Sequence, residues 1–230
     1  ERNGLPRVTS APTVKQAMAA RIAGLPENTL KTWRRTGMVL VGKPLPAGSR
    51  DHRLTMAEVA EIFLLHVLEV RFDSLTKAAQ FTRAWLPLFV GKLPPTRTGP
   101  DFLIEIWDYS AKDAKFWTAD NAEELVRLVA AKHYVEQIWI LNFRELVNEF
   151  SEAWLMATLG FDTFVETMRP FTEGQPAADV AEAIMRWTDL SNQLFPASKA
   201  EVRKALEKYG PRTLPKVADK SQKGAGNVAG

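Results

Sequence analysis

Residues 27–37 read ENTLKTWRRTG, and the interpretation of the whole chain depends on this stretch. Leu30 and Trp33 have the spacing of an apolar helix face, and Gly37 ends the helical pattern. The face opposite to them carries side chains that hydrogen-bond base edges or phosphates, namely Asn28, Lys31, Thr32 and Arg35. The segment is therefore either an ordinary solvated surface helix or a helix that lies in a groove of DNA, and its neighbours decide between the two.

A first helix precedes this stretch. Val14, Met18 and Ile22 recur four residues apart, which predicts a helix that starts at about Thr13. Residues 20–24 read ARIAG, with a small residue in the helix and a glycine where a turn between two close helices requires a positive φ. Leu25 and Pro26 then turn the chain. This order predicts a helix-turn-helix, with residues 27–36 as its second helix.

The segments after the second helix extend this pattern. Residues 38–41 (MVLV) predict a short strand, and residues 43–53 (KPLPAGSRDHR) form a basic loop rich in proline and glycine. Thr55 and Glu58 have the capping-box spacing and open a helix to about Val70. Ser74 is expected to cap another helix, from Leu75 to Trp85, that stops before Pro87. Such an order is typical of a winged helix-turn-helix.

Residues 13–85 resemble the MerR family of DNA-binding proteins. The resemblance rests on 24–26 (GLP) at the turn, 29–38 (TLKTWRRTGM) at the second helix, 52–55 (HRLT) after the loop, and 58–59 (EV). The chain departs from the family pattern at Pro26, where a capping serine is usual, and at Leu54, where tyrosine is usual. The family's short antiparallel coiled coil and its sensing cysteines are absent from the sequence.

The resemblance implies sequence-specific binding of double-stranded DNA by a MerR-like transcriptional regulator, with RNA polymerase as a further candidate partner. The residues that it places at the DNA are Asn28, Thr29, Lys31, Thr32, Arg34, Arg35, Lys43, Arg50, His52 and Arg53. The same module serves phage terminase small subunits and excisionases. A DNA-handling protein of a phage or mobile element is therefore the alternative.

Charge divides the chain in a way that fits this hypothesis. Residues 1–100 carry 15 Lys and Arg against 7 Asp and Glu, a net charge of +8, whereas residues 101–200 carry 8 against 17, a net charge of −9. A basic first part indicates a polyanion-binding module. Cysteine is absent, which excludes thiolate chemistry and Cys-based metal sites. We expect no catalytic, cofactor or metal site, no membrane partner, and a cytoplasmic protein.

The predicted fold is mainly α, with the winged module followed by a mostly helical α+β domain with a few short strands. The predicted organisation is a flexible lead (1–12), the DNA-binding domain (13–90), a linker (91–100), the second domain (101–210) and a basic flexible tail (211–230). In the second domain we expect a hairpin within 102–118, a helix over 121–132, a third strand at 137–141, and a helix between Asn142 and Gly160. Further helices are predicted over 163–168, 178–194 and 199–209.

The role of the second domain stays open. Six of the seven tryptophans lie at or beyond Trp85. They form either an aromatic effector pocket, as in drug-sensing members of the family, or simply the core. The apolar helix over 56–70 and the aromatic helices after Asn142 suggest surplus nonpolar surface, so we expect a homodimer that pairs mainly through residues beyond 100. Residues 1–100 alone should then be a folded monomer that binds DNA weakly.

Overall fold

The computed structural model describes residues 12–39, 53–72, 74–95, 99–108, 113–130, 137–172, 177–196, 202–204 and 207. The helices are α1 (Gln16–Ile22), α2 (Glu27–Arg35), α3 (Met56–Glu69), α4 (Leu75–Gly91), α5 (Ala122–Ala130), α6 (Phe143–Leu159), α7 (Phe161–Thr172) and α8 (Ala177–Leu194). The strands are β1 (Thr13–Lys15), β2 (Arg53–Thr55), β3 (Phe102–Asp108), β4 (Asp113–Ala119) and β5 (Gln137–Asn142). The mainly helical prediction with a few short antiparallel strands is confirmed.

The start of the first helix was predicted wrongly. Thr13–Lys15 is the strand β1, and it pairs antiparallel with β2 so that Val14 lies opposite Leu54. Both of these side chains are buried. Val14 fits the helical spacing in the sequence, but its backbone pairs with a strand about forty residues away, which local periodicity does not reveal. The helix therefore begins only at Gln16.

The predicted strand over residues 38–41 is not present in the part that the structure describes. Met38 and Val39 follow α2 without strand pairing, and Leu40 and Val41 lie outside the described residues. The Met38 amide donates to the Trp33 carbonyl at 2.9 Å, so this residue belongs to the cap that ends α2. Its backbone is already used there and does not join a sheet.

Helix α3 begins as the capping box predicted. The Thr55 hydroxyl accepts from the Glu58 amide, while the Glu58 carboxylate accepts from the Thr55 amide at 2.7 Å. Nine apolar residues of α3 and the carboxylate of Glu61 are buried within the chain. The apolar surface of α3 is thus covered by its own chain, and it does not provide the surplus nonpolar surface that the sequence suggested.

Helix α4 does not stop before Pro87 as predicted but runs past it to Gly91, so that Pro87 lies inside the helix. A proline in a helix interior lacks the amide hydrogen and costs about 3 kcal/mol. Leu86, Phe89 and Val90 around it are fully buried. Burial of side chains of this size contributes about 1.5–3 kcal/mol each, which outweighs that cost. The helix therefore continues to Gly91.

Lys92 connects the two described ends of the segment predicted as a linker, 91–100. This side chain is buried, and its ammonium group donates to the carbonyls of Gly99 at 2.9 Å and Pro100 at 2.8 Å and pairs with the Asp101 carboxylate. The Asp101 carbonyl in turn accepts from the Phe143 amide at 2.8 Å. Lys92 therefore connects the end of α4 to the residues that precede β3, and Asp101 connects these residues to the start of α6.

The predicted hairpin strands and the predicted third strand are present, and they form one three-stranded sheet. Strands β3 and β4 make the hairpin, β5 pairs antiparallel with the other side of β3, and the order is β4-β3-β5. Asn121 begins α5 by accepting from the Glu124 amide at 2.9 Å. Leu125 and Leu128 of α5 pack near Ile104 on one face of the sheet, whereas Leu103 on the other face belongs to the main core.

Helix α6 joins the two halves of the chain in one core. Asn142 caps it, as predicted, by accepting from the Glu145 amide at 3.1 Å. The Phe150 ring lies 5.4 Å from that of Phe63 in α3 and 5.5 Å from that of Phe89 in α4, measured between centroids. Buried residues from before and after 91–100 thus form one cluster.

The last helices are close to their predicted positions. α7 extends beyond the predicted 163–168 at both ends, and α8 begins one residue before the predicted 178. The Trp154 indole donates to the Leu194 carbonyl at 2.9 Å, which attaches the end of α8 to α6. Of the helix predicted over 199–209, residues 202–204 and 207 are described and are helical. Residues 1–11 of the lead and the whole tail lie outside the described residues.

Candidate nucleic-acid interface

Helix α2 has one buried face and one exposed face, as its sequence predicts. Leu30 is 0 % exposed and Trp33 is 3 % exposed. The exposed side chains on the other face are those of Asn28, Lys31, Thr32 and Arg35. The nine residues of α2 therefore include two buried apolar side chains and four exposed polar or cationic side chains.

The turn between α1 and α2 is the predicted glycine turn. Gly24 has a φ of +70°, which an L side chain rarely adopts. Its amide donates to the Arg21 carbonyl at 3.1 Å, and the Leu25 amide donates to the Ala20 carbonyl at 3.0 Å. These are the two hydrogen bonds of a Schellman motif. The turn therefore fixes the direction in which α2 leaves α1.

The C-terminal end of α2 is built in the same way. Gly37 has a φ of +73°, and its amide donates to the Arg34 carbonyl at 3.4 Å. The Met38 amide donates to the Trp33 carbonyl, which completes a second Schellman motif. At the N-terminal end Pro26 provides no side-chain cap, and its carbonyl accepts from the Thr29 amide at 3.0 Å.

Arg34 points toward α1 and not outward. It is half-buried, and its Nη1 donates to the Gln16 side chain at 2.8 Å. Burial lowers the pKa of the Arg34 guanidinium, and the nearby Glu58 carboxylate partly offsets this effect. This contact fixes α2 against α1, so part of the guanidinium is already engaged. Thr29, also named from the sequence, is half-exposed.

Lys31 is exposed and paired within its own helix. Its ammonium lies 3.0 Å from the Glu27 carboxylate one turn earlier. An exposed pair of this kind contributes little stability, about 0.2–1 kcal/mol. Lys31 can therefore exchange Glu27 for another anion at small cost, and the Arg35 side chain beside it on the same face is exposed.

Arg53 lies on a strand and not in the loop where the sequence placed it. In β2 it stands opposite Lys15 of β1, and both side chains are exposed. Like charges directly opposite each other in a sheet are destabilising unless an anion lies near them. Sequence reasoning missed Lys15 because the pairing of β1 with β2 was not predicted. The loop residues Lys43, Arg50 and His52 lie outside the described residues.

The residue that follows Lys15 contacts α2. Gln16, the residue after Lys15, accepts the hydrogen bond from Arg34 of α2. Glu58, which attracts the same arginine, caps the helix that directly follows β2. The strand pair that carries Lys15 and Arg53 is thus linked to α2 through Gln16, which directly follows β1, and through Glu58 in the first turn of the helix that follows β2.

The tryptophans that the structure describes are mostly core residues. Trp154 is 0 % exposed and Trp85 is 5 % exposed. Trp139 stacks on Trp85 with ring centroids 6.1 Å apart, and Arg71 lies 5.1 Å from the Trp139 ring. In contrast, Trp117 on β4 is 39 % exposed. Most of the described tryptophans thus belong to the core, which is the second of the two roles considered from the sequence, and the Trp85–Trp139 pair holds β5 against α4.

No group of three or more histidine, aspartate or glutamate side chains among the described residues is placed to hold a metal ion. Glu149 and Glu152 are exposed on α6. Within the same residues, no helix has both the length and the apolar character needed to cross a bilayer.

No family model matches the chain, and no curated protein is significantly similar to it. A functional proposal therefore depends on the geometry of the helix pair and on the charges it carries.

Proposed function

We propose that the protein binds double-stranded DNA in a sequence-specific manner, as a MerR-like transcriptional regulator, with α2 as the recognition helix. The observation that carries the proposal is the exposed polar and cationic face of α2, held on a buried Leu30 and Trp33 between two glycine-ended turns. A rigid helix that presents such a face suits the major groove, which is about 12 Å wide and admits an α-helix.

The exposed side chains of α2 have the chemistry that base reading requires. Arg35 and Lys31 are suited to the acceptors of guanine, and Asn28 is suited to the paired donor and acceptor of adenine. Thr32 is less free, because its hydroxyl donates to the Asn28 carbonyl at 3.0 Å. Arg34 is assigned a positioning role, since its guanidinium is bound to Gln16.

Phosphate contacts are assigned to the basic side chains beside α2. Lys15 and Arg53 face each other across the β1–β2 pair, and a phosphate near them would relieve their mutual repulsion. Lys43, Arg50 and His52 of the loop remain assigned to DNA on the sequence resemblance alone. Such contacts supply most of the nonspecific affinity and make binding depend on salt.

A homodimer is proposed as the DNA-binding form, because readers of this kind usually pair two half-sites by a two-fold axis. Since the apolar faces of α3 and α6 are buried in their own core, the apolar surface for pairing has to come from elsewhere. Phe161 of α7 and Met185 of α8 are 67 % and 64 % exposed. These helices lie beyond residue 100 and are the candidates for the dimer contact.

The proposal is tested by selecting duplexes from a random library with the full chain and then measuring affinity by fluorescence anisotropy across a salt series. We expect one preferred sequence and a strong decrease of affinity with salt. Neutralising Lys43, Arg50 and Arg53 together should flatten the slope of log affinity against log salt by about 0.9 per lost phosphate contact. A chain that selects no duplex and binds none at low salt refutes the proposal.

The alternative role, DNA handling in a phage or mobile element, uses the same interface. A genome-wide binding profile separates the two roles, because a regulator occupies promoters, whereas a packaging or excision factor occupies one site in its own element. Light scattering on the full chain checks the dimer, and a monomer at the concentration used for DNA binding contradicts it.

A further inference from the structure

A single arginine from α4 holds the end of α2. The Nη2 of Arg83 donates to the Gly37 carbonyl at 3.0 Å and lies 3.4 Å from the Met38 carbonyl. These are the two residues that close the Schellman motif after α2. The contact joins residues more than forty positions apart, and no sequence motif marks it.

Two features of its environment make the burial of the Arg83 guanidinium unfavourable. The side chain is half-buried, and burial lowers the pKa of its guanidinium, which the buried Glu61 carboxylate partly offsets. Its Nε and Nη1 are buried without a hydrogen-bond partner among the described residues. Buried donors without acceptors are unfavourable, so they oppose the stabilisation that the two carbonyl contacts provide.

The same turn of α4 is fixed to the sheet. Phe81 and Trp85, two residues on either side of Arg83, lie 5.7 Å apart between ring centroids. Trp85 stacks on Trp139 of β5, and Phe81 stacks on Phe72 at 4.4 Å. The position of Arg83, and with it the end of α2, is therefore set by contacts that reach beyond residue 100.

We propose that Arg83 is a positioning residue that sets the orientation of α2 for base reading by holding its C-terminal end through the Gly37 and Met38 carbonyls. This inference rests on the proposed DNA binding. Arg35 lies at the C-terminal end of α2, so a small change in tilt there moves its guanidinium relative to a base edge. Phosphate contacts by flexible lysines tolerate such a shift better than a bidentate base contact does.

The experiment compares three variants of the full chain with the wild type. Arg83→Met removes the donors and the charge but keeps a long side chain, and Arg83→Lys keeps a charge and a donor. Lys77→Met removes an equal charge from an exposed position of α4 and controls for long-range electrostatics. Circular dichroism checks folding, and Arg83→Gln, which keeps one amide donor group, replaces Arg83→Met if the latter does not fold.

Hydrogen–deuterium exchange is the first measurement, made without DNA. Arg83→Met should speed the exchange of the Gly37 and Met38 amides, whereas Lys77→Met should not change it. The second measurement is the ratio of affinities for the selected duplex and for random duplex. Arg83→Met should lower this ratio by about tenfold or more, in line with the loss of one base contact, while affinity for random duplex stays close to that of the wild type.

Arg83→Lys should restore part of both properties. Unchanged exchange in Arg83→Met, or faster exchange with an unchanged ratio, overturns the inference, because Arg83 would then be absent from the contact or merely structural. An equal fall of the ratio in Lys77→Met overturns it as well. A wild type that selects no duplex refutes the proposed function and the positioning role together, whereas a selecting wild type with an unaffected Arg83→Met refutes only the latter.

Discussion

Helices α2 and α6 are alike in how they are buried and opposite in what they expose. Each places a large aromatic side chain in the core, Trp33 at 3 % exposure and Phe150 at 0 %, and each is followed by a glycine with positive φ. The exposed face of α2 carries Lys31 and Arg35, whereas that of α6 carries carboxylates, namely Glu145, Glu149 and Glu152.

This difference shows that burial and exposed charge have separate consequences. The apolar faces fix both helices on one core, where α6 also contacts α1 and β1. The exposed charges then decide which side of that core can approach a polyanion, because like charges repel and opposite charges attract within about 10 Å at moderate salt. DNA is expected to meet α2 and to avoid α6.

The largest expected effect comes from removing α6 with the rest of the second half. A fragment of residues 1–100 should lose cooperative folding, because Phe63 and Phe89 lose the rings of Phe143 and Phe150 against which they pack. Thermal unfolding followed by circular dichroism, with the full chain as control, measures this. A fragment that unfolds cooperatively would support the independent DNA-binding domain expected from the sequence.

A single core substitution in α6 should have the next largest effect. Phe150→Ala is expected to lower the free energy of unfolding by about 3–5 kcal/mol, because it opens a cavity between α3, α4 and α6. Urea denaturation measures the change. Glu149→Ala, on the exposed side of the same helix, is the control and should change it by less than about 0.5 kcal/mol. Equal effects of the two would mean that Phe150 is not a core residue.

Neutralising the exposed cations of α2 should weaken DNA binding and leave folding intact. Arg35→Ala and Lys31→Ala are each expected to cost about 1–3 kcal/mol of binding free energy if the side chain reads a base. The matched controls are Glu149→Ala and Glu152→Ala on α6, which should not weaken binding. Anisotropy titration at fixed salt measures all four, and unchanged affinity in both α2 variants removes this helix from the interface.

The smallest expected effect concerns the anion beside Lys31. Glu27→Gln should strengthen DNA binding at low salt by about 0.2–1 kcal/mol, because Lys31 no longer has to leave a carboxylate 3.0 Å away. The gain should shrink as salt rises, since an exposed pair is screened. Glu123→Gln on α5, also exposed, is the control. A gain that is equal in both variants would reflect net charge alone and not this pair.

Local features of the fold were predictable where a short stretch carries its own physical reason. The glycine turn at Gly24, the capping box at Thr55, the side-chain cap at Asn142 and the two faces of α2 depend on residues within a few positions of each other. Local signals were misleading at Val14, at residues 38–39 and at Pro87. At Pro87, the buried side chains packed around the proline compensate for the missing hydrogen bond. A local rule fails there since the compensation comes from the tertiary core.

The candidate site was predictable to the same extent. The outward position of Lys31 and Arg35 follows from helical period, and it is confirmed. The inward position of Arg34 does not follow from it, because its partner Gln16 belongs to another helix. The pairing of Lys15 with Arg53 was missed for a similar reason, since it depends on the register of two strands far apart in the chain.

The sequence by itself determined which segments are helical, where most of them end, and which face of α2 is apolar, because hydrogen-bonding caps and side-chain period act over a few residues. Only the tertiary structure decided that residues before and after 91–100 share one core, and that Arg83 of α4 holds the end of α2. Such contacts join residues that are distant in the chain, and their free energy depends on packing that no short stretch contains.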